Sequence, residues 1–216
     1  MKETVTENKT YSITEAMAEV KKNAKAKFDE SIEVHVRLGI DPKKSDQQVR
    51  GTVALPNGTG KTVKIAVFTT VQAKEAKEAG ADVIGGEELV DKVRTSGKID
   101  ADIAIATPEM MPRLATIAKI LGPKGLMPNP KNQTVTPKVK EVIDSLKKGR
   151  ADFKNDNSGN IHQIIGKISF DDIKLEENYK AFIEALRKAK PEALKAKFIK
   201  GISICSTMGK SVRVSI

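Results

Sequence analysis

The spacing of apolar and polar residues changes period along this chain, and each change marks an element. Ile32, Val34, Val36 and Leu38 alternate with Glu33, His35 and Arg37, the period-two pattern of a strand with one buried and one polar face. Upstream, Ser12-Ile13-Thr14-Glu15 has capping-box spacing. It predicts a helix with apolar Ile13, Met17, Val20 and Ala24 at helical intervals. Val49 to Leu55 predicts a second strand, closed by the turn Pro56-Asn57-Gly58-Thr59-Gly60.

From Val63 the rhythm becomes strand-helix alternation. Val63 to Phe68, Val83-Ile84 and Ile103 to Ala106 read as strands, the last almost wholly apolar, as expected when both sheet faces are covered. Residues 71–79 and Glu87 to Thr95 read as helices. Thr107-Pro108 is expected to cap a helix with apolar positions Met110, Leu114, Ile117, Ala118 and Leu121, and Thr136-Pro137 to start another that uses Val139, Val142, Ile143 and Leu146. From Ala151 the pattern reverts. Ala151 to Lys154, Ile161 to Phe170, Phe198 to Ser206 and Val212 to Ile216 read as strands, and Asn178 to Lys188 as an amphipathic helix.

Two ends of α+β character thus flank an α/β middle. The expected architecture is a two-domain chain: a discontinuous α+β domain from residues 1–62 and 151–216, and an inserted, doubly wound (Rossmann-like) α/β domain at 63–150. The two crossings would form a double-stranded hinge.

Charge sharpens this picture. The 216 residues carry 38 Lys+Arg against 28 Asp+Glu, net +10, which favours an anionic partner, nucleic acid first. Residues 122–150 hold seven cations and two anions, while 61–121 hold nine of each. Aromatics are 4% with no Trp, so rows of stacked bases are poorly supported and contacts to phosphate, sugar and RNA shape fit better. No apolar run reaches membrane-spanning length, and the first residues lack the apolar stretch of a secretory signal. The single cysteine, Cys205, excludes an internal disulfide framework and suits a reducing cytoplasm.

The least regular stretch is Leu121-Gly122-Pro123-Lys124-Gly125-Leu126-Met127-Pro128-Asn129-Pro130-Lys131-Asn132-Gln133. Three prolines forbid a continuous helix or strand and make it too stiff for a linker. It reads as a shaped, cationic loop.

Enzyme motifs do not survive scrutiny. Gly58-Thr59-Gly60-Lys61-Thr62 resembles the end of a phosphate-binding loop, but the first glycine of that motif falls on Leu55 and a strand follows where a helix is required. A nucleotide-dependent enzyme built on this turn is the alternative reading, and a hairpin-like turn is favoured. Gly85-Gly86 before Glu87-Glu88 reads as a turn with an acidic helix start. Asp100 and Asp102 read as solvated rather than magnesium-binding. His35 and His162 are the only histidines, too few with one thiol for a zinc site. Cys205, within Ile202-Ser203-Ile204-Cys205, is expected to be a packed thiol. Neither cofactor nor metal is expected. The polar strand faces around Glu33, His35 and Arg37, and around Lys167 and Ser169, are the better candidates, although an ordinary solvated face is favoured from the residues alone.

Several segments together resemble the bacterial ribosomal protein L1 family of the large-subunit stalk. They are the 121–131 loop with Thr134-Val135-Thr136, Lys27 to His35, Arg50 to Pro56, Asn160-Ile161-His162, Gly166 to Phe170 and Ser206-Thr207-Met208-Gly209. The resemblance runs from about Tyr11 to Val214. It implies a non-catalytic cytoplasmic protein on the ribosome, monomeric when free, that binds stalk rRNA, helps exit-site tRNA move and leave, and represses its own operon's mRNA. It implies that Lys27, Phe28, Ser31, Glu33, Arg37, Lys167, Ser169, Thr207, Met208 and Gly209 form the main RNA surface. Gly122, Lys124, Gly125, Asn129 and Lys131 would make secondary contacts. Phe28 is open to two roles, stacking on a base or packing at a helix end. Glu33 would accept from RNA donors or orient Arg37.

Overall fold

The computed structural model describes residues 9–70, 72–192, 194 and 197–215, with the side chains of Ser45 and Lys131 left aside. The chain divides into two compact units, Met1–Gly60 with Gly149–Ile216, and Lys61–Lys148. It is a mixed α/β protein.

The first unit is built on a five-stranded sheet. Its strands are β1 (Thr10–Tyr11) and β2 (Ser31–Leu38), and later β8 (Asn160–Lys167), β9 (Ile199–Ser206) and β10 (Val212–Val214), in the order β1-β10-β9-β2-β8. All neighbours are antiparallel except β1 with β10. The period-two pattern of β2 buries Ile32, Val34, Val36 and Leu38 on one face. Helix α1 (Ile13–Asn23) packs there, opened by the capping box of Ser12 and Glu15. The long helix α7 (Asp172–Lys188) joins it, with Phe182 fully buried. This helix starts six residues earlier than its apolar pattern suggests, because Leu175 is a lone buried residue in a polar first half. A smaller ribbon of β3 (Arg50–Ala54) and β7 (Arg150–Lys154) adds Val53 and Phe153 to the same core. Among the described residues of this unit no helix covers the other face of the large sheet.

In the second unit, β4 (Ile65–Phe68) lies between β5 (Val83–Gly85) and β6 (Ile103–Ala106), all parallel. Ile65 and Val67 face α2 (Ala73–Glu78) and α6 (Val139–Lys147), while Ala66 and Phe68 face α3 (Glu87–Ser96) and the segment after β6. Both faces are covered, which explains the unbroken apolar run. The segment after β6 is not the single helix expected. Short 3-10 turns alternate with α4 (Met111–Leu114) and α5 (Ala118–Leu121), since Pro112 has no amide to sustain a regular ladder. Thr107 takes the N-cap position without a side-chain bond.

Two polar residues tie the first unit together. Asn178 on α7 is fully buried. Its amide nitrogen donates to the Gly58 carbonyl at 2.9 Å and the Ile165 carbonyl at 2.7 Å, and its oxygen accepts from the Asn57 amide at 3.0 Å. It therefore fixes the Pro56–Gly60 turn, where Gly58 and Gly60 adopt left-handed φ of 66° and 71°. Glu30, 1% exposed, accepts from the Ala26 amide at 3.1 Å and the Met208 amide at 2.9 Å. These bonds, that of Met208 first, hold its carboxyl below the ordinary 4.5.

Replacing Asn178 with Leu strands three backbone groups and should cost about 3 kcal/mol in a denaturant titration; a loss under about 1 kcal/mol would show that the turn stands without it. For Glu30 the lowered value sets the sign. Its contribution is complete above the unfolded carboxylate range and is lost as pH falls through the folded value. The Met208 amide resonance should titrate with a midpoint below 4.5, and a midpoint at or above that value would refute the bond.

Candidate nucleic-acid interface

At one end of the large sheet three distant segments converge: residues 26–31 before β2, 167–170 after β8 and 206–209 after β9. Each is bound to the first. The Thr207 hydroxyl accepts from the Ser31 amide at 3.1 Å, and the Thr207 amide donates to the Ser31 carbonyl at 3.1 Å. Asp29 accepts from the Ser169 amide at 3.2 Å and from its hydroxyl at 2.9 Å. Lys167 donates to the Asp29 carbonyl at 3.2 Å. Glu30 closes the set by holding Met208.

This network leaves a defined surface. Phe28 is 58% exposed and Met208 74% exposed, and Lys27, Ser169 and Thr207 stand exposed with them. Of its two open roles, packing at a helix end is thus excluded for Phe28. Gly209 earns its place through its own chain: a Cβ there would collide with the Ser206 hydroxyl. Lys167 reaches this surface because of a bulge. Ile32 pairs with Gly166 and Glu33 with Ile164, so Ile165 is extra and the parity of β8 shifts. Ser31 then pairs with Lys167.

Eight of the expected residues thus come together: Lys27, Phe28, Ser31, Lys167, Ser169, Thr207, Met208 and Gly209. Glu33 lies one pair further in, on the open face. It does not touch Arg37 among the described contacts; its carboxylate is 3.9 Å from the His35 Nε2. Arg37 lies six residues along β2 from Ser31, about 20 Å away. Cys205 is not a packed core thiol as expected. Strand alternation sends Ile202 and Ile204 inward and Cys205 to the open face, its Sγ 3.0 Å from the His35 Nε2. Partial burial, then Glu33, pushes this thiol up. The His35 and His162 Nδ1 atoms are 2.7 Å apart, so one ring donates and the other accepts. Burial, then His162, lowers the pKa of His35, and Glu33 opposes this.

The proline-rich loop is anchored rather than loose. Leu121 and Leu126 are buried in the second unit, and the Leu126 amide donates to the Leu121 carbonyl at 3.0 Å. The Asn129 amide donates to the Thr134 hydroxyl at 2.7 Å. Beyond it Val135 pairs with Ala106 of β6, the Ala106 amide donating to the Thr134 carbonyl at 2.9 Å and the Thr136 amide to the Ala106 carbonyl at 3.1 Å. Gly122, Lys124 and Gly125 are exposed at its turn, and Lys124 donates to the Gly97 carbonyl at 3.1 Å. The Lys131 side chain lies outside the described ones.

The geometry offers no nucleotide site at Gly58–Thr62. Asn178 binds the Gly58 carbonyl, Lys61 donates to Asp102 at 2.6 Å, and the next element is β4. Asp100 is likewise held by Lys64 at 2.6 Å. The carboxyl of Asp102 is lowered by Lys61 first. Among the described residues no group of three or more His, Cys, Asp or Glu is placed to hold a metal, and no helix is long and apolar enough to cross a membrane. Sequence reasoning missed Asp29 and Glu30 as organisers. Their only local signal was an acidic pair immediately before a strand in a basic chain.

The sequence profile of the ribosomal protein L1p/L10e family matches residues 20–210. The chain is 50% identical over 210 residues to the large ribosomal subunit protein uL1 of Mycoplasma capricolum subsp. capricolum, covering 97% of this chain and 93% of that protein. The uL1 protein of Mycoplasma mycoides subsp. mycoides SC gives the same identity and coverage. The convergent end of the sheet and the anchored proline loop are thus features of a chain that belongs to the ribosomal protein L1 family.

Proposed function

We propose that this protein is a non-catalytic constituent of the large ribosomal subunit that binds stalk rRNA through the end of the sheet formed by residues 26–31, 167–170 and 206–209. It acts on the ribosome, in the cytoplasm. The observation that carries the reading is the pairing of two exposed apolar side chains, Phe28 and Met208, with the hydroxyls of Ser169 and Thr207 on one internally braced surface. Hydroxyls and backbone groups suit ribose 2′-hydroxyls and phosphates, and the apolar pair suits unstacked bases.

In this reading the ends of the chain form one discontinuous rRNA-binding domain, and the inserted doubly wound domain presents Gly122, Lys124, Gly125, Asn129 and Lys131 as secondary RNA contacts. The protein helps exit-site tRNA move and leave, and represses its own operon's mRNA through an RNA structure like that of the stalk. Family membership and the two-unit layout support these roles.

Met208→Ala and Phe28→Ala remove exposed groups, and each should weaken binding to a stalk rRNA fragment by about 1–3 kcal/mol. Unchanged affinity for both in a filter-binding titration would refute the assigned surface. Neutralising Lys124 and Lys131 together should reduce the log–log salt slope by roughly 0.7–0.9 per lost phosphate contact. An identical slope would remove the loop from the RNA interface.

A further inference from the structure

The open face of the large sheet continues beyond the convergent end and becomes a groove of about 950 Å³. Its geometry follows from the strand register. Arg213 on β10 pairs with Ser203 on β9, and Ser203 pairs with His35 on β2. One step along, Arg37 pairs with Gly201. The floor is therefore Gly201 and Ser203. A Cβ at Gly201 would meet nothing within 4 Å, so the floor is open to a ligand. Arg37, Lys200 and Arg213 are exposed around it. A register shift between Arg37 and Leu38 places Lys200 at a bulge beside Arg37. Among the described residues no Asp or Glu lines the groove.

We propose that this groove binds the phosphodiester backbone of RNA, at a site separate from the Thr207 end. Charge complementarity selects the ligand: cations on the rim, a small polar floor and, among the described lining residues, no carboxylate, while Glu33 and Asp156 lie 3.9 Å and 3.4 Å from the Nε2 atoms of the lining His35 and His162. The described lining holds the imidazoles of His35 and His162 but no Phe, Tyr or Trp, so the contact is largely sequence-independent. The separation of about 20 Å along β2 means that one phosphate cannot satisfy both sites. An acidic peptide would also be attracted by charge, but among the described residues the groove lining carries no large exposed apolar side chain to anchor one.

The test uses the full chain and a labelled oligouridylate about ten nucleotides long. In the wild-type protein, amide resonances of Gly201 and Ser203 should shift on titration. Shifts confined to residues 206–209 would overturn the proposal. The triple variant Arg37→Gln, Lys200→Gln, Arg213→Gln should bind the oligomer about tenfold or more weakly, with the salt slope reduced by roughly 0.7 per lost contact. Substituting Lys77, Lys119 and Lys188 by Gln, a matched charge change elsewhere, should have a much smaller effect. Equal effects would reduce the groove to net charge and refute it. Thr207→Ala should weaken binding of the stalk fragment without reducing the Gly201 and Ser203 shifts caused by the oligouridylate, so the two sites fail independently; loss of those shifts would overturn the separation. Stronger binding of an oligoglutamate than of the oligouridylate at Gly201 would assign the groove to a protein partner and overturn the proposal.

Discussion

A buried carboxylate organises the surface that matters here. Glu30 is 1% exposed and accepts from the amides of Ala26 and Met208, the latter 178 positions away in sequence. A carboxylate in that position must be satisfied by donors, since an unpaired buried charge is costly. The two amides it uses belong to the turns that carry Phe28 and Met208, so satisfying the charge and shaping the surface are one event. Asp29 does the same work for Ser169. Two acids that would repel a polyanion are thereby engaged by internal donors.

The second constraint is parity. A strand side chain is inward or outward by position, and only a bulge can change which. The extra residue at Ile165 brings Lys167 into register with Ser31. The irregularity after Arg37 sets Lys200 beside the open face. Without them the cations of β8 and β9 would follow the phase of their strands, and neither end of the face would hold its present charge.

How much of this was legible depended on sequence distance. The capping box at Ser12 and Glu15 was readable because its partners lie three residues apart. Strand β2 was readable because its alternation is strict. The early start of α7 was not, because Asp172 to Glu177 carry only Leu175 into the core. The segment after Thr107 kept its apolar spacing but not its regular helix, since spacing is blind to the missing amide of Pro112. Cys205 was misplaced because an apolar run does not reveal which face each residue takes. The Glu30–Met208 bond has no sequence signature at all. Residues of the candidate surface were recognised through resemblance, and the carboxylates that brace them were not.

The charges imply a division of labour across the proposed RNA-binding face. At the convergent end Lys27 and Lys167 stand against Asp29 and Glu30, so the local sum is near zero and long-range attraction is weak. Contact there must be made at short range, by shape, hydroxyls and exposed apolar groups, which are the sources of selectivity. The cations that attract at distance lie elsewhere, around Arg37, Lys200 and Arg213 and along the loop at Lys124. Phosphate attraction is salt-dependent and indifferent to sequence, whereas a braced surface is neither. In the proposed reading, separating the two lets the chain meet RNA through one set of residues and discriminate through another. The internal bonds of Glu30 and Asp29 keep the discriminating end near neutrality without leaving its carboxylates unpaired.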